Sequence, residues 1–152
     1  MPVNNPDPDE LLTQLVDEVF KTSGALLQQG DALVSEQGLT ASRWLVLGRL
    51  QDGPTTVAAL ARDRGLRRQS VQESMNRLDE DGYVTRSANP ADLRAPLWSL
   101  TAVGHEALEN VEPARQAWAD RKAAQFPVWK LEAALAVLRQ LRQDDPDAET
   151  GR

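Results

Sequence analysis

Apolar residues return along this chain mostly at helical intervals, and the places where the interval changes mark its elements. From about residue 9, Leu11, Leu12, Leu15, Val16, Val19 and Phe20 keep the spacing of one helix face. Asp9 and Glu10 lie at the start, where a helix dipole favours negative charge. The spacing predicts an amphipathic helix, with a break expected near Gly24 or Gly30. In "ASRWLVLGRLQDG", which Thr40 can cap, Trp44, Leu45, Val46, Leu47 and Leu50 cover nearly the whole circumference. A helix apolar all round is expected in the middle of the core.

Gly53 and Pro54 mark a turn, after which "TTVAALARDRG" reads as a short helix capped by Thr55 or Thr56 and stopped by Gly65. In "RRQSVQESMNRLDEDG", Val71, Met75 and Leu78 sit at i, i+4 and i+7, and Gly82 ends the run. Two short helices joined around a glycine and preceded by a core helix have helix-turn-helix spacing. The period then shortens: "YVTRSANPADLRAPLWSLT" reads as two short strands around a loop holding Asn89 and Pro90, with Pro96 at a strand start or an exposed edge. Thr101 caps a helix expected to reach about Phe126, kinked or divided at Pro113. Pro127 starts a last helix with Leu131, Leu135, Leu138 and Leu141 on one seam. The expected fold is mainly α with a small β-hairpin. Residues 9–142 read as one domain between disordered tails at 1–8 and 143–152.

Composition narrows the chemistry. A chain of 152 residues buries about two thirds of the surface its unfolded form exposes, enough for one core. It has no cysteine and one histidine, His105, so disulfides, thiol nucleophiles and thiolate metal sites are excluded and a dedicated metal site is not expected. His105 itself fits a solvent-facing helix position. No nucleophile with its base, phosphate loop or paired carboxylates appear, so neither catalysis nor a cofactor is expected. No signal-like start or 18-residue apolar run is present, which points to a cytoplasmic protein without a membrane partner.

Net charge is −6, yet the middle of the chain is basic: residues 40–101 carry nine bases against seven acids. Residues 62–77 hold Arg62, Arg64, Arg67, Arg68 and Arg77 against Asp63 and Glu73. Screening over about 8 Å at physiological salt lets a polyanion respond to that local excess rather than to distant acidic ends. With Val71, Met75 and Leu78 defining the buried side of the second helix, Gln69, Gln72, Glu73 and Asn76 fall on the opposite side. Asn and Gln pair bidentately with adenine, and Glu accepts from cytosine. Arg68 and Arg77 lie on the flanks, where phosphates of double-stranded DNA would run, and the helix entry at Arg67 to Ser70 suits a phosphate oxygen. Asp79, Glu80 and Asp81 follow at the helix's far end, against its dipole, with Arg77 or Arg86 placed to offset them.

From Gly53 to Gly104, the two-helix reader, the wing with "DLRA" and the following "LTAVG" resemble the winged helix-turn-helix core of the multiple-antibiotic-resistance regulator (MarR) family. The resemblance implies a core over 39–101, dimerisation helices at 9–38 and 102–142, and a homodimeric transcription regulator of a family whose members are mostly repressors, many of which release DNA when a small, often aromatic, ligand binds. It also implies that Arg94 enters a minor groove and that Asp92 orients it. The chain departs from the family pattern at Asn89, Leu93, Glu73 and Arg64. Leu12, Leu15, Val19, Trp118, Phe126, Trp129, Leu135 and Leu138 are candidates for the interface between two copies, whose reading helices would then lie about 34 Å apart on an inverted-repeat operator. Trp44 and Trp98 are candidates to line a ligand cavity, although tryptophans so placed also fit a plain core. The competing reading is a winged helix used for protein contact without DNA readout.

Overall fold

The computed structural model describes residues 6–143, so most of the two expected tails lies outside the described residues; Pro8 already opens the first helix. In chain order the elements are α1 (Pro8–Val34), α2 (Ala41–Arg49), α3 (Val57–Arg64), α4 (Arg68–Glu80), β1 (Val84–Ser87), β2 (Leu97–Leu100), α5 (Ala102–Ala123) and α6 (Val128–Leu141). Single turns of 3-10 helix cover Ser35–Gln37 and Leu50–Asp52. The expected class, mainly helical with one hairpin, is the one observed.

α1 is unbroken where a break was expected. Gly24 has open space around its missing side chain. Gly30 has a different function: a Cβ there would lie 2.7 Å from the Cβ of Ala41, so the glycine lets the start of α2 cross close over α1. Next to it, Asp31 Oδ1 accepts from the Ala41 backbone N–H at 2.7 Å, fixing that crossing with a charge-assisted bond.

One apolar cluster holds the reader together. Val46, Leu47 and Leu50 meet Val57, Leu60 and Ala61 of α3, the stripe Val71, Met75 and Leu78 of α4, Val84 and Trp98 of the hairpin, and Ala107, Leu108 and Val111 of α5. α2 is not buried all round: Trp44 is half-buried and Leu45 exposed, because α1, α3 and α4 cover one side of this two-turn helix and leave the other open. Thr40 and Thr56 cap α2 and α3 through their side-chain oxygens, which accept from Arg43 N (3.3 Å) and Ala59 N (3.2 Å). Gly65, in the left-handed region, ends α3.

β1 and β2 pair antiparallel, with Val84 opposite Leu100 and Arg86 opposite Trp98. A third piece of chain joins them: Thr55, just before α3, exchanges two backbone bonds with Trp98 at 3.1 and 2.8 Å and ties the hairpin to the first reader helix. Thr101 caps α5 by accepting from Gly104 N at 3.1 Å and donates its own hydroxyl proton to Gly82 O at 2.6 Å. Losing both bonds in Thr101→Val should cost about 1–2 kcal/mol in urea denaturation, with Thr101→Ser close to wild type.

Pro113 lies inside α5 without ending it, and the helix stops at Ala123 rather than Phe126. The chain divides into two compact units between Pro113 and Ala114. In the second unit Pro127 stands at the N-cap of α6, which has no buried residue.

Candidate nucleic-acid interface

α4 presents two opposite faces. Val71, Met75 and Leu78 are each fully excluded from solvent, while Gln69, Gln72, Glu73 and Asn76 are all exposed. The exposed four are paired along the helix: Gln72 Nε2 donates to Asn76 Oδ1 at 2.9 Å, and Gln69 Nε2 to Glu73 Oε1 at 3.3 Å. Such i, i+4 pairs are weak, but they set the amides side by side with donors and acceptors left over.

The entry to this helix differs from those before it. Arg67 occupies the N-cap in an extended conformation and supplies no side-chain acceptor. Arg67, Arg68 and Ser70 are exposed, and neither of these arginines forms an ion pair among the described residues. At the other end Arg77 is engaged, lying 3.3 Å from Glu80 and 3.6 Å from Asp81, while Arg86 reaches Asp79 at 3.7 Å. Those pairs offset the unfavourable placement of three acids at a helix C-terminus, and both arginines considered from the sequence take part.

The wing loop is wired by its short polar side chains. Asn89 Nδ2 donates to Ala95 O at 3.0 Å, and Asn89 Oδ1 accepts from Ala91 N at 3.1 Å. Asp92 Oδ1 accepts from the backbone N–H of Arg94 at 3.0 Å, so it shapes the turn that carries Arg94 through the main chain. The Arg94 side chain is exposed at that turn. Below it, the Arg86 guanidinium sits 5.4 Å from the centre of the Trp98 ring. Trp98 is 1% exposed, and its indole N–H has no hydrogen-bond partner among the described residues.

The sequence model of the MarR family matches residues 37–95, the stretch from just before α2 to the wing loop. An uncharacterized protein of Mycobacterium tuberculosis, Rv2011c, is 33% identical over 100 residues, covering 66% of this chain and 70% of that one. The chain belongs to the MarR family. The transcriptional activatory protein BadR of Rhodopseudomonas palustris is 30% identical over 105 residues, 66% of this chain and 59% of its own length. Among solved structures, a mutant MarR from E. coli complexed with operator DNA superposes with a TM-score of 0.76 at 18% identity, over 90% of this chain and 99% of that one.

Against the MarR pattern, Asn89 is a departure with a structural function, since it closes the wing loop from both sides. Arg64 is another. Where the pattern has an apolar residue, its guanidinium donates to the carbonyl oxygen of Leu45, beside the 2.9 Å pair of Arg49 and Asp63. Burial, then the nearby charge of Arg49, holds Arg64 below the ordinary arginine value, with Asp63 opposing. Sequence reasoning missed Thr55 as a strand partner and Arg64 as a carbonyl donor; a lone Thr before a helix and a lone Arg at its end carry no local signal for either. Trp98 belongs to the main core and Trp44 packs against it. His105 is exposed. Outside the reader, Leu12, Leu15, Val19, Trp129, Leu135 and Leu138 on the helices and Phe126 in the turn between α5 and α6 are exposed and Trp118 is half-buried, with Trp129 at 63% exposure.

Proposed function

We propose that this MarR-family chain is a cytoplasmic, homodimeric, non-enzymatic transcription regulator that binds double-stranded DNA sequence-specifically at an inverted repeat. The observation that carries this is the exposed Gln69, Gln72, Glu73 and Asn76 face of α4, backed by a buried stripe and entered by Arg67 and Arg68, with Arg94 exposed at the turn of the wing. Amide and carboxylate ends on such a face match base edges in a major groove, while the arginines answer phosphates and a narrow minor groove. Arg77 joins them at the flank by exchanging its exposed carboxylate partners, pairs worth about 0–1 kcal/mol, for phosphate. The apolar rows of α1 and α6 supply a reason for two copies, because a lone chain leaves Phe20 at 75% exposure and Trp129 at 63%. We place Leu12, Leu15, Val19, Trp118, Phe126, Leu135 and Leu138 with Trp129 in that interface. An operator overlapping the promoter makes the protein a repressor, and an upstream one an activator, the direction in the name of BadR. A small aromatic ligand that releases the DNA completes the reading, with Trp44 and Trp98 the side chains assigned to it.

The test is a mobility-shift titration on the DNA upstream of the protein's own gene at two salt concentrations. Wild type should bind with a steep salt dependence, and Arg94→Ala and Gln72→Ala should each weaken binding about 10-fold or more, since a dimer loses two contacts per substitution. A protein-contact module would show no salt slope and no effect of either change. Footprinting should return a two-fold symmetric protected site.

A further inference from the structure

Resting on that reading, we infer that Leu93 is an apolar DNA contact at the wing tip, packing on the deoxyribose walls of the minor groove beside Arg94. The loop inverts the usual division of labour between polar and apolar side chains. Its polar members are turned to the main chain: Asn89 bonds Ala91 N and Ala95 O, and Asp92 bonds Arg94 N. A further backbone bond from Ala95 N to Asp92 O closes the turn at 3.1 Å, with Leu93 and Arg94 at its two central positions. Leu93 is left at 84% exposure, beyond any other large apolar side chain described.

The other highly exposed apolar side chains, Phe20, Val128 and Trp129, lie on helices that present many more of their kind. Leu93 stands on a four-residue turn rather than on an apolar helix row, flanked by Asp92, whose Oδ1 is engaged by the Arg94 backbone N–H, and by the exposed Arg94, so an occupant of this tip meets a cation and an aliphatic group side by side. A minor groove accommodates both. Its phosphates and narrow floor attract the arginine, its sugars present C–H surface on which an aliphatic side chain packs, and minor-groove proteins do place Leu and similar side chains in it, there as wedges between base steps. The turn's hydrogen bonds hold both side chains outward before DNA arrives, so little ordering cost remains to be met on binding.

An apolar contact and a phosphate contact differ in their response to salt, and this separates them experimentally. On a duplex selected by the full-length protein from a randomised pool, Leu93→Ala should weaken binding about 5- to 10-fold at every salt concentration, leaving the slope of log K against log salt unchanged. Leu93→Arg should steepen that slope by about 0.9 for each added phosphate contact. The position is a loop tip, so both variants should keep the wild-type melting temperature. If Arg94→Ala weakens binding while Leu93→Ala binds like wild type throughout, the Leu93 contact is overturned and the DNA-binding reading stands. If the wild-type protein enriches no duplex from the pool, the reading itself falls.

Discussion

Gly104→Ala should lower the melting temperature by about 10 °C, corresponding to a loss of about 3 kcal/mol or more. A Cβ at Gly104 would stand 2.1 Å from the carbonyl oxygen of Tyr83 and 3.2 Å from Leu100 Cδ2. The first of these is backbone and cannot swing aside. It is also committed, because Tyr83 O accepts from Thr101 N at 3.0 Å at the junction where α5 leaves the hairpin. A methyl group at 104 therefore pushes α5 off the turn that ends α4, separating Ala107, Leu108 and Val111 from the core they complete. For a domain with about 5–15 kcal/mol in all, that is a large fraction. The same substitution at Gly24 should do the reverse: its Cβ meets nothing, and removing a glycine from a helix interior gains about 0.5–1 kcal/mol. Thermal melts of the two variants side by side check the argument, which fails if Gly104→Ala melts with wild type.

The second large effect concerns assembly. Leu135→Glu combined with Leu138→Glu should convert the dimer to a monomer at micromolar concentration and reduce operator affinity by about 100-fold or more. Both leucines are substantially exposed in the single chain, so the carboxylates are hydrated in the monomer and the helix has no reason to unfold. In the dimer, four carboxylates would enter an apolar interface without partners. A reader that meets one half-site at a time also loses the gain of linked binding. Sedimentation velocity with the shift assay measures both quantities, and a double variant that still sediments as a dimer removes α6 from the interface.

The elements of the reader were legible because each rests on a local rule. Val71, Met75 and Leu78 declare a buried stripe by spacing alone, Thr40, Thr56 and Thr101 stand where capping oxygens belong, and the change from helical to alternating period marks the hairpin. What escaped was set by contacts distant in sequence. Gly30 looked like a place for α1 to break, whereas its missing side chain answers to the close approach of Ala41, eleven positions on. Leu45 belonged to a run apolar on every side, yet whether a face is buried depends on which neighbours arrive, and none covers it. The candidate site was legible as residue types on a face. That Gln72 bonds Asn76, or that Asp92 serves the backbone of Arg94, depends on rotamers that no spacing encodes.

The pairing of Gln72 with Asn76 and of Gln69 with Glu73 has a kinetic consequence. On the DNA-binding reading, a helix whose polar ends are partly paired with one another, the rest of their donors and acceptors open to water, loses little over an unmatched sequence, and the arginines alone can hold the protein to DNA as it slides. At a matching site these internal bonds must open before the bases can replace them. Search and recognition then become separate steps, the first fast and salt-controlled, the second slower and governed by sequence.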